Sequence, residues 1–130
     1  MLHVLIKDEY AIYRKGIAGL IRELFPLSHI VESATLKELS SLMSQDSWSL
    51  IIADVKEMNG EVMDFLQYYR KSFKEKPLLV MTEPFNPLLH SGLIMAGAAA
   101  CLNKSCTGRE FRSILEKILG SAQHTGSWAN

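Results

Sequence analysis

Five polar side chains in this sequence follow short apolar runs, and together they could carry out one reaction. Asp8 and Glu9 follow the first run, Asp54 the third, Thr82 the fourth and Lys104 the fifth. If these runs are strands of one parallel sheet, the five residues lie at its carboxyl edge, where open α/β sheets bind their ligands. Each residue alone also fits a solvated turn or a surface position. It is their joint placement that predicts a site.

The residue types indicate metal-dependent phosphoryl chemistry. Three carboxylates at neighbouring strand ends repel one another unless a cation is present, and an all-oxygen cluster suits Mg²⁺ better than zinc or copper. With Mg²⁺ and the Lys104 ammonium, the charges of the site nearly cancel. One of the carboxylates could then attack a phosphorus centre, with Thr82 donating a hydrogen bond and the cations stabilising the phosphoryl oxygens. The product would be a phospho-aspartate.

The elements that must position these residues can be read from the periodicity. Five apolar runs predict strands buried on both faces, at Leu2–Ile6, around Ile30-Val31, at Leu50–Ala53, at Leu78–Met81 and around Ala100–Leu102. Apolar stripes at helical spacing follow them, formed by Tyr13, Ile17, Leu20, Ile21 and Leu24; Leu36, Leu39 and Met43; Val62, Phe65, Leu66 and Tyr69; Leu88, Leu89, Leu93 and Ala96; and Phe111, Ile114, Leu115, Ile118 and Leu119. This alternation predicts a doubly wound α/β domain with a five-stranded parallel sheet and helices on both faces.

Capping residues predict where several helices begin and end. The predicted starts are the capping boxes Thr35 with Glu38 and Thr107 with Glu110, and the pair Asn86-Pro87. Gly120 stands where a glycine commonly ends a helix. We therefore expect one domain over residues 1–120, followed by a linker or frayed tail over residues 121–130.

Composition narrows the class of protein. The 130 residues contain 14 Lys+Arg and 14 Asp+Glu, which argues against DNA binding through bulk charge. The most apolar stretch, Gly92 to Leu102, is well short of the roughly 20 residues of a membrane span, and the N-terminus lacks signal-peptide features. Cys101 and Cys106 lack zinc-site spacing. These features favour a cytoplasmic domain that does not enter the membrane.

Other residues with chemical potential fit structural roles better. Four methionines are interpreted as core residues, namely Met58, Met63, Met81 and Met95. Four histidines are interpreted as surface or hydrogen-bonded side chains rather than ligands, namely His3, His29, His90 and His124. There is no Gly-rich phosphate-binding motif, so a nucleotide-binding use of the sheet has little support.

The sequence resembles the receiver domains of two-component response regulators over about Leu2 to Leu119. Four segments carry the resemblance: Val4-Leu5-Ile6-Lys7-Asp8-Glu9, Leu50-Ile51-Ile52-Ala53-Asp54, Leu79-Val80-Met81-Thr82 and Gly97-Ala98-Ala99-Ala100-Cys101-Leu102-Asn103-Lys104. The stretch from Tyr10 to Ile17 looks most like receivers that precede a LuxR-type helix-turn-helix. The resemblance implies a flavodoxin-like fold with strand order 2-1-3-4-5.

The resemblance also implies roles for the site residues. Asp54 would accept a phosphoryl group from a histidine kinase or phosphorelay protein. Asp8, Glu9, Asp54 and the backbone carbonyl of Lys56 would hold Mg²⁺, and Thr82 and Lys104 would sense the phosphoryl group. Such a domain is a signalling module rather than a turnover enzyme. It forms homodimers and controls an output domain, usually for transcription, through which alone DNA would be contacted.

The sequence departs from the receiver pattern at positions that transmit the signal. Cys101 stands where receivers usually have an aromatic switch residue, Glu83 replaces a small residue and Met58 replaces a proline. Pro84 and Pro87 would stiffen a loop that normally moves. These departures leave open a degenerate pseudo-receiver that acts by phosphorylation-independent protein–protein interaction. A flavodoxin-like enzyme or cofactor carrier is a third possibility, since a fold alone does not imply a function.

Overall fold

A computed structural model of the chain describes residues 1–83 and 86–122. Five strands and five helices alternate along the chain: β1 Leu2–Lys7, α1 Ala11–Leu24, β2 Ser28–Ser33, α2 Leu36–Met43, β3 Leu50–Asp54, α3 Gly60–Ser72, β4 Leu78–Thr82, α4 Pro87–Met95, β5 Ala100–Asn103 and α5 Gly108–Ala122. All pairings are parallel and the strand order is β2-β1-β3-β4-β5. The predicted fold class and strand order are confirmed.

The core lies in two layers, one on each face of the sheet. Side chains of β1 alternate between them, so that Leu5 packs with α2, α3 and α4, while Val4 and Ile6 pack with α1 and α5. All residues of β3 and β4 are buried, as expected for central strands of a parallel sheet. Packing on both faces of the sheet therefore holds the carboxyl ends of β1, β3, β4 and β5 in position.

The predicted helix starts hold their expected caps. Thr35 and Thr107 each accept a hydrogen bond at 3.1 Å from the amide of the glutamate three residues later. Asn86 accepts from the amide of Leu89 at 3.1 Å. Sequence reasoning missed a further cap at the start of α3, where Asn59 accepts from the amide of Val62 at 2.9 Å. These caps satisfy amides that the first helical turn leaves unpaired.

Several local predictions are wrong. Gly120 does not end α5, which continues to Ala122, because the left-handed conformation that stops helices belongs, among the described glycines, to Gly97 after α4. Leu88 is 85% exposed, since it lies beside rather than on the buried stripe of α4. Of the four methionines only Met81 is buried. The predicted tail beyond residue 122 and the predicted effect of Pro84 lie outside the described residues.

None of the helices in the described part of the chain combines the length and apolar character that crossing a membrane requires.

Candidate functional site

Asp54 lies at the end of β3 with its carboxylate between two ammonium groups. The residue is 4% exposed. Lys7 donates to its Oδ1 at 2.8 Å, and Lys104 donates to its Oδ2 at 3.3 Å. Lys7 reaches it because β1 and β3 are neighbours whose register pairs Lys7 with Ala53. These two contacts offset the cost of burying the carboxylate.

Asp8 follows β1 and is fully buried. Its Oδ1 accepts the amide of Tyr10 at 2.9 Å. Its Oδ2 lies 2.7 Å from Lys104 Nζ, an ion-pair contact whose geometry leaves that oxygen without a hydrogen bond among the described residues. Lys104 therefore bridges the two buried carboxylates, Asp8 and Asp54, from the turn after β5.

Two opposing effects act on the pKa of Lys104. Burial disfavours the ammonium and lowers the pKa, whereas the contact with Asp8 and the charges of Asp54 and Asp8 raise it. The carboxylates prevail, so the pKa lies above its usual value and Lys104 is cationic at neutral pH. The ring of Tyr13 also faces this ammonium, with its centroid 4.5 Å from Nζ.

Glu9 turns away from the other two carboxylates. It is exposed and forms an ion pair with Lys56, which also lies 3.4 Å from the Tyr10 hydroxyl. The hydrogen bond from Lys56 lowers the pKa of Glu9, and the same contact raises the pKa of Lys56. As a result Asp8, Glu9 and Asp54 do not bring one oxygen each within 4.8 Å of one another.

Thr82 ends β4 and is fully buried. Its Oγ1 lies 2.5 Å from Nε2 of His90 on α4, and its backbone carbonyl accepts the amide of Lys104 at 2.8 Å. Thr82 therefore lies at the strand end, as predicted. Its hydroxyl is also hydrogen-bonded to α4, which packs on the sheet. His90 is hydrogen-bonded, which is one of the two roles predicted for the histidines, but its contact with Thr82 was not foreseen.

The charges at this edge balance within the protein. Three carboxylates were expected to need an external cation. In the structure three lysines contact them, namely Lys7 and Lys104 at Asp54, Lys104 at Asp8, and Lys56 at Glu9. Sequence reasoning gave no role to Lys7 or to the side chain of Lys56. The signal available for Lys7 was its position at a strand end directly before the acidic pair.

The oxygen donors at this edge suit a hard cation such as Mg²⁺. A cleft of about 250 Å³ opens beside Asp54 and is lined by Lys7, Glu9, Lys56 and residues at the start of α3. Asp8 Oδ2 already contacts a cation, the Lys104 ammonium, at 2.7 Å, and Glu9 is exposed enough to rotate. The carbonyl of Lys56 belongs to the same loop that lines the cleft. The donor set would therefore fit the ion if Lys7, Glu9 and Lys104 rearrange.

The three departures from the receiver pattern lie near α4 or the site. Cys101 is half-buried, burial raises the pKa of its thiol to about 11, and its Sγ lies 4.0 Å from the backbone carbonyl of His90. Glu83 is exposed. Met58 lies against α4 at Gly92, where an added Cβ would come within 3.4 Å of the Met58 methyl group.

Comparison with known proteins supports the fold and gives a distant relative. No family model matches the chain. It is 26% identical over 120 residues to the glycerol metabolism activator of Pseudomonas putida. The aligned region covers 92% of this chain and 54% of that protein, so the chain spans about half the length of this curated relative.

Several solved structures with the same fold are response regulators or their receiver domains. A CheY-like response regulator receiver domain from Methanospirillum hungatei has a TM-score of 0.82 and 17% identity, covering 97% of this chain and 99% of that one. The beryllofluoride-activated NtrC4 receiver domain dimer has a TM-score of 0.82 and 18% identity, covering 95% and 100%. The chemotaxis response regulator CheY4 of Vibrio cholerae has a TM-score of 0.79 and 20% identity, covering 92% and 99%. The chain has the receiver-domain fold.

Proposed function

We propose that this chain, which has the fold of response regulator receiver domains, is a phosphoacceptor module of two-component signalling, with Asp54 as the acceptor. The observation that carries the proposal is the position of Asp54. It is buried at the carboxyl edge of the sheet, contacts two ammonium groups, and shares one of them, Lys104, with a second buried carboxylate, Asp8. Such a carboxylate is a nucleophile held among cations that can stabilise incoming phosphoryl oxygens.

In the proposed reaction an oxygen of Asp54 attacks the phosphorus of the donor. A new O–P bond forms while the bond between phosphorus and the donor's leaving group breaks. Lys104 offsets the charge of the phosphoryl oxygens, and Asp8 keeps Lys104 in place. Asp8, Glu9, Asp54 and the Lys56 carbonyl would hold Mg²⁺, which when bound offsets negative charge on the phosphoryl group.

Two side chains must rearrange before the transfer, namely one of the lysines that contact Asp54 and the side chain of Thr82. Lys7 occupies Oδ1 of Asp54 and Lys104 occupies Oδ2, so one of these oxygens must be freed to attack. Lys7 is the easier of the two lysines to displace, because its side chain is 13% exposed and borders the open cleft. The side chain of Lys104 is only 5% exposed. Thr82 would contact the phosphoryl group only by leaving His90.

The direct test is phosphorylation by a small donor. Incubation with Mg²⁺ and acetyl phosphate should add one phosphoryl group, measured by intact mass. Asp54→Asn should add none. The matched control is Asp64→Asn, which changes an exposed carboxylate on α3 and should be phosphorylated like the unmodified chain. Equal uptake by Asp54→Asn and the unmodified chain would refute the assignment.

A pseudo-receiver is the second candidate, and the charge balance of the site favours it. Lys7, Lys56 and Lys104 together pair with the three carboxylates, so the edge is neutral without a bound cation. Such a domain would act through constant protein–protein contact. It predicts that beryllofluoride with Mg²⁺ leaves the amide NMR spectrum unchanged, whereas a phosphoacceptor should show shifts at Thr82 and along α4.

The partners follow from the proposed role. The phosphoryl donor would be a cytoplasmic histidine kinase or phosphorelay protein. The curated relative is called an activator and is nearly twice as long as the matched region, so we assign control of transcription to an output domain that contacts DNA. The NtrC4 receiver is a dimer when activated by beryllofluoride, and we expect this chain to dimerise likewise. Sedimentation with and without beryllofluoride tests this, and an unchanged monomer would contradict it.

A further inference from the structure

A second polar cluster lies at the opposite, amino-terminal edge of the sheet. His3 of β1 and His29 of β2 are partners in the parallel register, so their side chains leave the same face of adjacent strands. Their ring centroids are 5.3 Å apart with the planes at 62°. This face is the one that α2 and α3 cover, and the two histidines stand at its end.

Asp46 completes the cluster from the loop between α2 and β3. Its Oδ2 lies 2.8 Å from Nδ1 of His3. The hydrogen bond with His3 lowers the pKa of Asp46, with a smaller effect from the amide of Ser47, so the carboxylate is ionised at neutral pH. One ligand atom from each of His3, His29 and Asp46 lies within 4.8 Å of the other two.

The backbone around Asp46 is held in place by several hydrogen bonds. The amide of Ser49 donates to the His3 carbonyl at 2.7 Å, and the amide of His3 donates to Ser49 Oγ at 3.0 Å. The amide of Ser47 donates to Asp46 Oδ1 at 2.7 Å, which leaves Oδ2 directed at His3. Trp48 is buried, and its indole N–H donates to the Leu42 carbonyl at 2.9 Å. The loop therefore presents its carboxylate in a defined position.

We propose that His3, His29 and Asp46 form a binding site for a divalent transition-metal ion, with Zn²⁺ as the best match. Two neutral imidazoles and one carboxylate are a common protein ligand set for Zn²⁺, with water as the fourth ligand. This assignment does not depend on phosphorylation of Asp54, which lies at the other edge of the sheet.

The geometry needs a small adjustment. Ligands at zinc bond lengths of about 2.0–2.1 Å lie roughly 3.3 Å apart in a tetrahedron, so no pair has to close by more than about 1.5 Å. His29 and Asp46 are exposed and can rotate to do so. Nδ1 of His3 and Oδ2 of Asp46 already share one hydrogen bond, which the ion would replace.

The structure also supplies a local optical probe. The ring of Trp48 stacks on His29, with centroids 6.5 Å apart and planes 10° from parallel. An ion bound by His29 should change the fluorescence of Trp48. In a Trp128→Phe background Trp48 is the sole tryptophan, so the signal reports on this cluster.

The experiment is a Zn²⁺ titration of the full chain in excess Mg²⁺, followed by calorimetry and by Trp48 fluorescence. We expect one Zn²⁺ to bind with a change in fluorescence. His29→Gln and Asp46→Asn should each weaken binding more than about tenfold, since even the loss of an outer-shell partner costs 10–100-fold. Both residues are exposed, so both variants should fold.

The matched controls separate this site from other zinc ligands. His124→Gln removes a histidine that the proposed ligand set does not include and should leave the affinity unchanged. Asp54→Asn should also leave it unchanged, so failure of the zinc site and failure of the phosphoacceptor assignment are distinguishable. The proposal is overturned if His29→Gln and Asp46→Asn bind Zn²⁺ as tightly as the unmodified chain, or if the chain binds no Zn²⁺ at millimolar concentration.

Discussion

Ionisable side chains meet at both edges of the sheet, but the two edges bury them to different extents. At the carboxyl edge Asp8 and Asp54 are buried and contact the ammonium of Lys104. At the amino edge the side chains of His3 and Asp46 stay 32% and 36% exposed. Water can solvate the second pair but not the first, so only at the first edge must protein partners offset the cost of burying the side chains.

This difference links reactivity to stability at the carboxyl edge. The lysines that offset the cost of burying these carboxylates also occupy the oxygens that would attack phosphorus or bind a cation. At the amino edge an ion can be gained or lost at little cost to the fold, because the cluster is hydrated. Substitutions should therefore have large effects on stability at the first edge and small effects at the second.

The largest effect is expected for Lys104→Ala. The variant leaves Asp8 and Asp54 buried and close together without their shared cation, and we expect a loss of about 3 kcal/mol in the free energy of unfolding, measured in urea. Added Mg²⁺ should restore part of it. The control Lys15→Ala breaks an ion pair at an exposed lysine and should cost less than about 1 kcal/mol. Equal losses in both variants would remove the contrast between buried and hydrated charges.

A second prediction concerns competition between Lys7 and Mg²⁺. Replacing the ammonium that contacts Asp54 Oδ1 by the neutral side chain of Lys7→Gln should tighten Mg²⁺ binding roughly tenfold, or about 1.4 kcal/mol. Amide shifts during a Mg²⁺ titration measure the affinity. Lys37→Gln, an exposed change on α2, should have no effect. An unchanged affinity in Lys7→Gln would show that Lys7 does not compete with the ion.

A third prediction tests the hydrogen bond that joins the strand end to α4. In a double-mutant cycle, Thr82→Val and His90→Leu should be non-additive by about 1 kcal/mol in unfolding free energy, because either change alone removes the same hydrogen bond. Additive losses would mean that the contact does not stabilise the fold. A coupling that disappears with beryllofluoride and Mg²⁺ would indicate that Thr82 leaves His90 on activation.

The smallest effect is expected at the amino edge. The pKa of Asp46 is lower in the folded protein than its usual value of 3.8, so ionised Asp46 stabilises the folded state above that pH. The contribution should be lost as the pH falls below 3.8, through the lowered pKa. Urea unfolding of the unmodified chain and of Asp46→Asn, both without zinc, should therefore differ near neutral pH and converge in acid. A difference that persists in strong acid would assign the effect to something other than this carboxylate.

The sequence was sufficient to predict the α/β class because the central strands β3 and β4 are almost wholly apolar and the helices carry clear stripes and caps. The strand order came from the resemblance to receiver domains. Asp54 and Thr82 could be placed at strand ends from the runs that precede them. The partners of these residues could not be placed, since Lys7 reaches Asp54 only because β1 lies beside β3. His90 likewise meets Thr82 only through the packing of α4 on the sheet. Pairing across elements depends on tertiary geometry that spacing along the chain does not contain.

Exposed methionines were misjudged for a related reason. Met63 and Met95 were interpreted as core residues from their apolar character, yet they are 52% and 84% exposed. Each lies outside the buried positions of its helix. Apolar side-chain type alone was therefore a poor guide to burial, and Leu88 was misjudged even though it had been counted in a predicted helical stripe.

The half-buried thiol of Cys101 offers a way to time the motion of α4. Very little thiolate exists at neutral pH when the pKa is about 11, so alkylating reagents should modify this residue slowly at rest. Its Sγ faces the His90 carbonyl, and a shift of α4 would hydrate the sulfur and accelerate the labelling. The rate of Cys101 alkylation in a Cys106→Ser chain, followed by mass, would then measure the displacement of α4 without any introduced dye.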